Sequence, residues 1–145
     1  MTKDLSMRIT ELVVDIGGVW LPQERLDPLF GLFSASFPFL YSGIDFRRSK
    51  PAVSADGLWL RSKPELGYQF LLVTSAILGG AATDRVWVFT SHVEGGADVE
   101  LQRVLAAFDD LWYSDFWIVS YDAQWCLQFH HEDTVTAHLA LCETG

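Results

Sequence analysis

A chain of 145 residues, half of them hydrophobic and including six Trp and ten Phe, can bury about two-thirds of its unfolded surface and is too apolar to be disordered. Its net charge of −9 is uneven: residues 1–93 carry nine acids and nine Lys or Arg, whereas residues 94–145 carry ten acids and a single base, Arg103. The acidic part repels nucleic acid and anionic membranes, so neither is an expected partner.

No apolar run reaches the roughly 18 residues of a membrane span, the longest candidate being Phe70 to Ala82. The opening MTKDLSMRIT lacks the apolar region of a signal peptide, and a cytoplasmic single domain with free thiols at Cys126 and Cys142 is expected. In chain order, β-branched residues 9–16 followed by Gly17-Gly18 predict a strand and turn. Leu26, Leu29, Phe30 and Phe33 recur at helical spacing and predict a helix over 22–36, opened by Pro22. Residues 39–46 and 57–61 read as strands, joined by a polar loop around Arg47, Arg48 and Lys50. Residues 64–82, opening PELGYQFLLVTSAILGG, are long enough for a helix with Pro64 in its first turn and Gly79 past its end, although a buried strand is the alternative. Residues 85–91 predict a strand. Gly95-Gly96 predicts a turn, and Asp98 caps a helix whose stripe is Leu101, Val104, Leu105, Phe108 and Trp112. Asp109 and Asp110 near the end of that helix oppose its dipole, which marks them for a role other than stability.

The last stretch, DFWIVSYDAQWCLQFHHEDTVTAHLALC over 115–142, predicts three antiparallel strands. Side chains alternate along a strand, so one shared apolar face fixes the pairing. Trp117, Val119 and Tyr121 must then face Phe129, Leu127 and Trp125, around a three-residue loop at 122–124. Phe129 must pair with Val135 and Leu127 with Ala137, around a loop of His131, Glu132 and Asp133. The opposite face carries Ser120, Cys126, Gln128, His130, Thr134, Thr136 and His138, the polar side of a half-buried sheet. The whole chain reads as an α+β domain: a mainly antiparallel sheet ending in a three-strand meander, with helices packed on one face.

Catalytic and metal signatures are weak. In the predicted register His130 is four residues from Cys126, roughly 13 Å along the strand, and zinc ligands must converge within about 2.3 Å of one point. Cys126 lies opposite His138, but no neighbouring acid orients the pair for nucleophilic work, and Cys142 is too far along the third strand for a disulfide. No metal, cofactor or catalytic residue is therefore expected. LVVDIGGVW, over 12–20, resembles the first motif of the haloacid-dehalogenase-like phosphohydrolases, with Asp15 as the nucleophile that the resemblance implies. Thr90-Ser91 after a strand echoes that family's second motif. The chain departs from the family in placing Asp109-Asp110 on a helix, in having no Lys after residue 92, and in lacking βα alternation.

Small size, acidity, an aromatic meander and no catalytic motif together give a profile that resembles the immunity proteins of bacterial polymorphic-toxin and contact-dependent inhibition systems. The resemblance implies a stoichiometric inhibitor, not an enzyme, that binds a cognate and often basic nuclease toxin domain through a complementary acidic surface. The expected contact residues are Asp109, Asp110, Asp115, Asp122, His130, His131, Glu132 and Asp133. Asp15-dependent phosphohydrolysis is one alternative, and a small-molecule or scaffold-binding domain with a closed aromatic pocket is the other.

Overall fold

The computed structural model describes residues 11–37, 39–40, 43–44, 50–90, 95–112, 115–130 and 134–139. Its elements in chain order begin with a helical turn α1 (11–15), β1 (Val19–Pro22), α2 (Gln23–Ser36), β2 (Phe39–Leu40), β3 (Gly43–Ile44) and β4 (Lys50–Asp56). There follow α3 (Gly57–Ser62), α4 (Pro64–Leu78), β5 (Arg85–Thr90), β6 (Gly95–Glu100), α5 (Leu101–Ala106), α6 (Phe108–Leu111), β7 (Phe116–Ser120), β8 (Trp125–His130) and β9 (Thr134–Leu139). Seven strands form one antiparallel sheet in the order β1-β6-β5-β7-β8-β9-β4, and β2 pairs with β3 separately. This is the α+β architecture the sequence predicts, with the meander β7-β8-β9 in its middle.

One face of the sheet is covered by α1 and α3–α6: Val86, Val88, Ile118, Trp125, Leu127 and Phe129 meet Leu60, Leu71, Val104, Leu105 and Phe108 in one apolar cluster. Helix α2 lies on the other face, where Leu26 and Phe33 pack with Phe89, Trp117, Val119 and Cys126. Phe33 stacks on Phe89 with ring centroids 5.2 Å apart. Helices on one face alone is therefore a description of all the described helices but α2.

Several elements differ from the sequence reading, each for a local reason. Residues 11–15 are helical, not a strand: Leu12, Val13 and Ile16 fall on one face against the core, while Val14 and Asp15 are exposed. Gly17 ends this turn at φ +78, with Gly18 N–H donating to the Val13 carbonyl and Gly17 N–H to that of Val14, a Schellman stop and not a β-turn. Residues 57–61 form most of α3, where one side of the helix buries Leu60 and leaves Trp59 exposed. Helix α4 ends as predicted, Gly79 taking φ +107.

Gly95-Gly96 is not a turn and Asp98 is not a cap: both belong to β6, paired with β5 and β1. Ala97 and Val99 alternate into the core. A Cβ at Gly96 would lie 2.2 Å from the Val88 carbonyl oxygen and 2.9 Å from Leu26 Cδ1, so the glycine permits α2 to approach the sheet. The expected 98–112 helix starts only at Leu101 and breaks at Ala107, which puts Asp109 and Asp110 in the first turn of α6 and removes the dipole conflict.

In the meander the β8–β9 register is as predicted, with Phe129 opposite Val135, Leu127 opposite Ala137 and Cys126 opposite His138. The β7–β8 register differs by one residue: Phe116 pairs with Phe129, Ile118 with Leu127 and Val119 with Cys126, leaving a four-residue loop, Tyr121 to Gln124. Parity misleads here because β7 is buried on both faces, so no face is polar enough to set the register. Residues 47–49, the loop 131–133 and Cys142 lie outside the described residues, and of the 39–46 strand only the pair β2–β3 lies within them.

Candidate binding surface

The polar face of β8 and β9 is covered over most of its length, only His130 and Thr134 being half-buried. Gln128, Thr136 and His138 sit there beside Trp117, whereas the corrected register moves Ser120 to the opposite face. Their polar atoms form a chain across three strands. The Trp117 indole N–H donates to Gln128 Oε1 at 2.9 Å, the Gln128 amide to Thr136 Oγ1 at 3.3 Å, and Thr136 Oγ1 is 2.8 Å from His138 Nε2. Burial lowers the His138 pKa from 6.5 to about 4 and pushes the Cys126 thiol well up, so both are neutral near pH 7. A neutral, desolvated pair of this kind is packing, and it offers no thiolate.

The predicted contact residues separate into two groups at opposite ends of the sheet. At one end, Asp109 is held by Arg61 of α3, Nε to Oδ1 being 3.0 Å. The same guanidinium lies 5.1 Å over the Trp112 ring, and the Trp112 indole N–H donates to the His130 carbonyl at 3.2 Å. Asp115 is buried and engaged within the fold, His130 is half-buried, and Asp110 is exposed. His131, Glu132 and Asp133 fall outside the described residues.

At the other end stands Asp122, in the β7–β8 loop. The Ser120 hydroxyl donates to its Oδ1 at 2.8 Å and in turn accepts the Gln124 N–H at 3.0 Å and the Trp125 N–H at 3.2 Å. Ala123 takes the left-handed position at φ 54 that the sequence reading assigns to no particular residue. This rigid turn forms one wall of an open cleft of about 280 Å³, lined by Gly79, Asp84, Arg85, Val86, Ser120, Tyr121, Asp122 and Trp125.

The field in the cleft is set by its carboxylates. Arg85 donates from Nε to Asp98 Oδ1 at 2.8 Å and from Nη2 to the Asp98 carbonyl at 3.0 Å, and its pKa is raised chiefly by that hydrogen bond. Its charge is thus matched by Asp98, which also accepts the Tyr121 hydroxyl. Tyr121 stacks on Trp87 at 4.2 Å, and desolvation together with Asp98 raises its pKa, so it stays a neutral phenol. Asp84 accepts the Ala81 N–H through Oδ2 and Asp122 is bonded through Oδ1, leaving the other oxygen of each carboxylate without a hydrogen bond among the described residues. Asp84, Tyr121 and Trp125 were not expected as site residues. The register slip hid Tyr121 and Trp125, and Asp84 reads in sequence only as the residue before a strand.

Asp15 is exposed on α1 and not at a strand end, and every described strand pair is antiparallel, so the phosphohydrolase motif lacks the context its family gives it. An apolar cavity under α1, lined by Val13, Ile16, Trp20 and Val88 among others, has a volume of about 10 Å³, scarcely one water, and is no small-molecule pocket. Among the described residues no group of three or more His, Cys, Asp or Glu could hold a metal, and no helix is long and apolar enough to cross a membrane. No protein-family model matches the sequence, and no curated protein or solved structure matches the chain.

Proposed function

We propose that this chain is a stoichiometric inhibitor of the immunity type, acting in the cytoplasm of a bacterial producer cell to bind and neutralise a basic toxin domain. The observation that carries the reading is the acid-lined cleft at the β7–β8 end of the sheet, where Asp84 and Asp122 each keep an oxygen for a partner. A Lys or Arg of the partner entering it meets two carboxylates and the rings of Tyr121 and Trp125, a setting that combines ion pairing with cation–π attraction. The carboxylates sit on a tight turn and a strand end, so little ordering cost accompanies binding. Asp110, on the far end, adds to the long-range field that speeds encounter with a basic surface. A nuclease domain, whose groove must be basic to hold phosphates, is the toxin class that such a surface complements.

The test is direct binding to the protein encoded immediately upstream. Calorimetry is expected to give a one-to-one complex that weakens at least tenfold between about 50 and 500 mM salt, as screening of open charge pairs requires. No complex, or one indifferent to salt, contradicts the reading.

A further inference from the structure

Helix α4 is apolar on both sides: Leu71 and Leu78 enter the core, yet the outer side is apolar as well. Thr74 and Ser75 share the buried side, their hydroxyls donating to the carbonyls of Phe70 and Leu71 at 2.8 Å each. Its outer side carries Leu66 at 48 % exposure, Val73 at 61 % and Ile77 at 71 %, with the half-buried Phe70 between them. These four recur at steps of 4, 3 and 4, the spacing of a helix–helix seam. Trp59 of α3, 48 % exposed, extends the stripe by an edge-to-face contact with Phe70 at 6.2 Å. The helix cannot turn to hide the stripe. A Cβ at Gly67 would lie 2.8 Å from the Leu60 carbonyl oxygen and 2.9 Å from Phe108 Cζ, so α4 is locked against α3 and α6 at that contact.

We infer that the outer face of α4 is the interface of a homodimer, its occupant being α4 of a second copy of this chain. Two properties of the stripe select that occupant. First, Glu65 is the only charged residue in Pro64–Leu78, in a chain of net charge −9. Two identical acidic molecules meet with least repulsion where each presents little charge, and a basic partner finds little there to recognise. Second, the exposed Trp59, Leu66, Val73 and Ile77 leave on the order of 450 Å² of apolar surface in one stripe, the scale of a functional patch. Two copies related by a two-fold axis would cover about twice that area and some flanking backbone, at the lower limit of specific interfaces, so the dimer is expected to form in the micromolar range. This surface is distinct from the acidic cleft, and the inference does not depend on the proposed inhibitor role.

Sedimentation velocity of the full chain over roughly 1–300 µM decides it, a range that brackets the affinity expected of so small an interface. The expected result is a concentration-dependent shift from monomer to dimer, abolished in Val73→Lys/Ile77→Lys and weakened at least tenfold in Leu66→Lys, all exposed positions whose replacement leaves the core intact. Monomer throughout, a dimer untouched by these substitutions, or growth to larger assemblies would overturn the inference.

Discussion

The hydroxyl of Thr136 lies 2.8 Å from Nε2 of His138, and the ring is fully buried. Gln128 donates its amide to the same hydroxyl, so the Thr136 oxygen links the Gln128 side chain to the imidazole of the next strand position but one. Trp117, Gln128, Thr136 and His138 are thus joined by successive hydrogen bonds across three strands.

A consequence is a defined acid sensitivity. The folded chain holds His138 neutral down to about pH 4, while the unfolded chain protonates it near its ordinary 6.5. Below 6.5 the unfolded state therefore binds the additional proton. The contribution of His138 is fully present above that pH and lost as pH falls toward 4, by up to about 3 kcal/mol. Urea unfolding at a series of pH values is expected to show this fall, and His138→Gln, which cannot titrate, should lose that part of the pH dependence. An unchanged slope in the variant would contradict the buried, neutral ring.

The same chain predicts the effect of breaking its middle. Gln128→Leu removes an acceptor from the Trp117 indole and a donor from Thr136, both in an apolar setting. A loss of about 2–3 kcal/mol is expected, larger than that of a typical surface change. Chemical denaturation measures it, and a loss below about 0.5 kcal/mol would show that the network contributes nothing net.

Gly96→Ala should destabilise sharply. The new methyl would meet the Val88 carbonyl at 2.2 Å, backbone that cannot yield without separating β5 from β6, and Leu26 of α2 behind it. At least about 2 kcal/mol is expected by thermal or urea unfolding, as in other overpacked cores. Gly31→Ala is the control, since nothing lies within 4 Å of its would-be Cβ.

Cys126 is fully buried with its thiol pKa pushed up by desolvation. In a Cys142→Ser background it should resist Ellman's reagent in the native chain and react fully in denaturant. Rapid native labelling would place the thiol at an accessible and reactive site, and revive the Cys–His reading.

The sequence made some of this fold legible and hid the rest for identifiable reasons. Strand β5 was readable from its β-branched run at 85–90, whereas for α4 length, Pro64 and Gly79 only favoured the helix over a buried strand. The β8–β9 register followed from parity because β9 is polar on one side only along Thr134, Thr136 and His138. Parity failed at β7, where Trp117 and Ile118 are both buried on opposite faces, and that slip concealed the Tyr121–Gln124 turn and with it the cleft. Gly95-Gly96 reads as a turn because sequence does not display the close approach of Leu26 that requires a glycine there. Of the expected contact residues, Asp122 joins the cleft, Asp109 is neutralised by an arginine distant in sequence, and Asp115 is buried, none of which residue type alone reveals.

Asp84 and Asp122 carry the central claim, and replacing both by Asn tests it with little change in shape. With the protein encoded upstream as ligand, the account predicts that Asp84→Asn/Asp122→Asn weakens the complex by roughly 10- to 100-fold at physiological salt, while Asp109→Asn, whose charge Arg61 already matches, changes it less than threefold. Equal affinity of the double variant and the parent chain would contradict it.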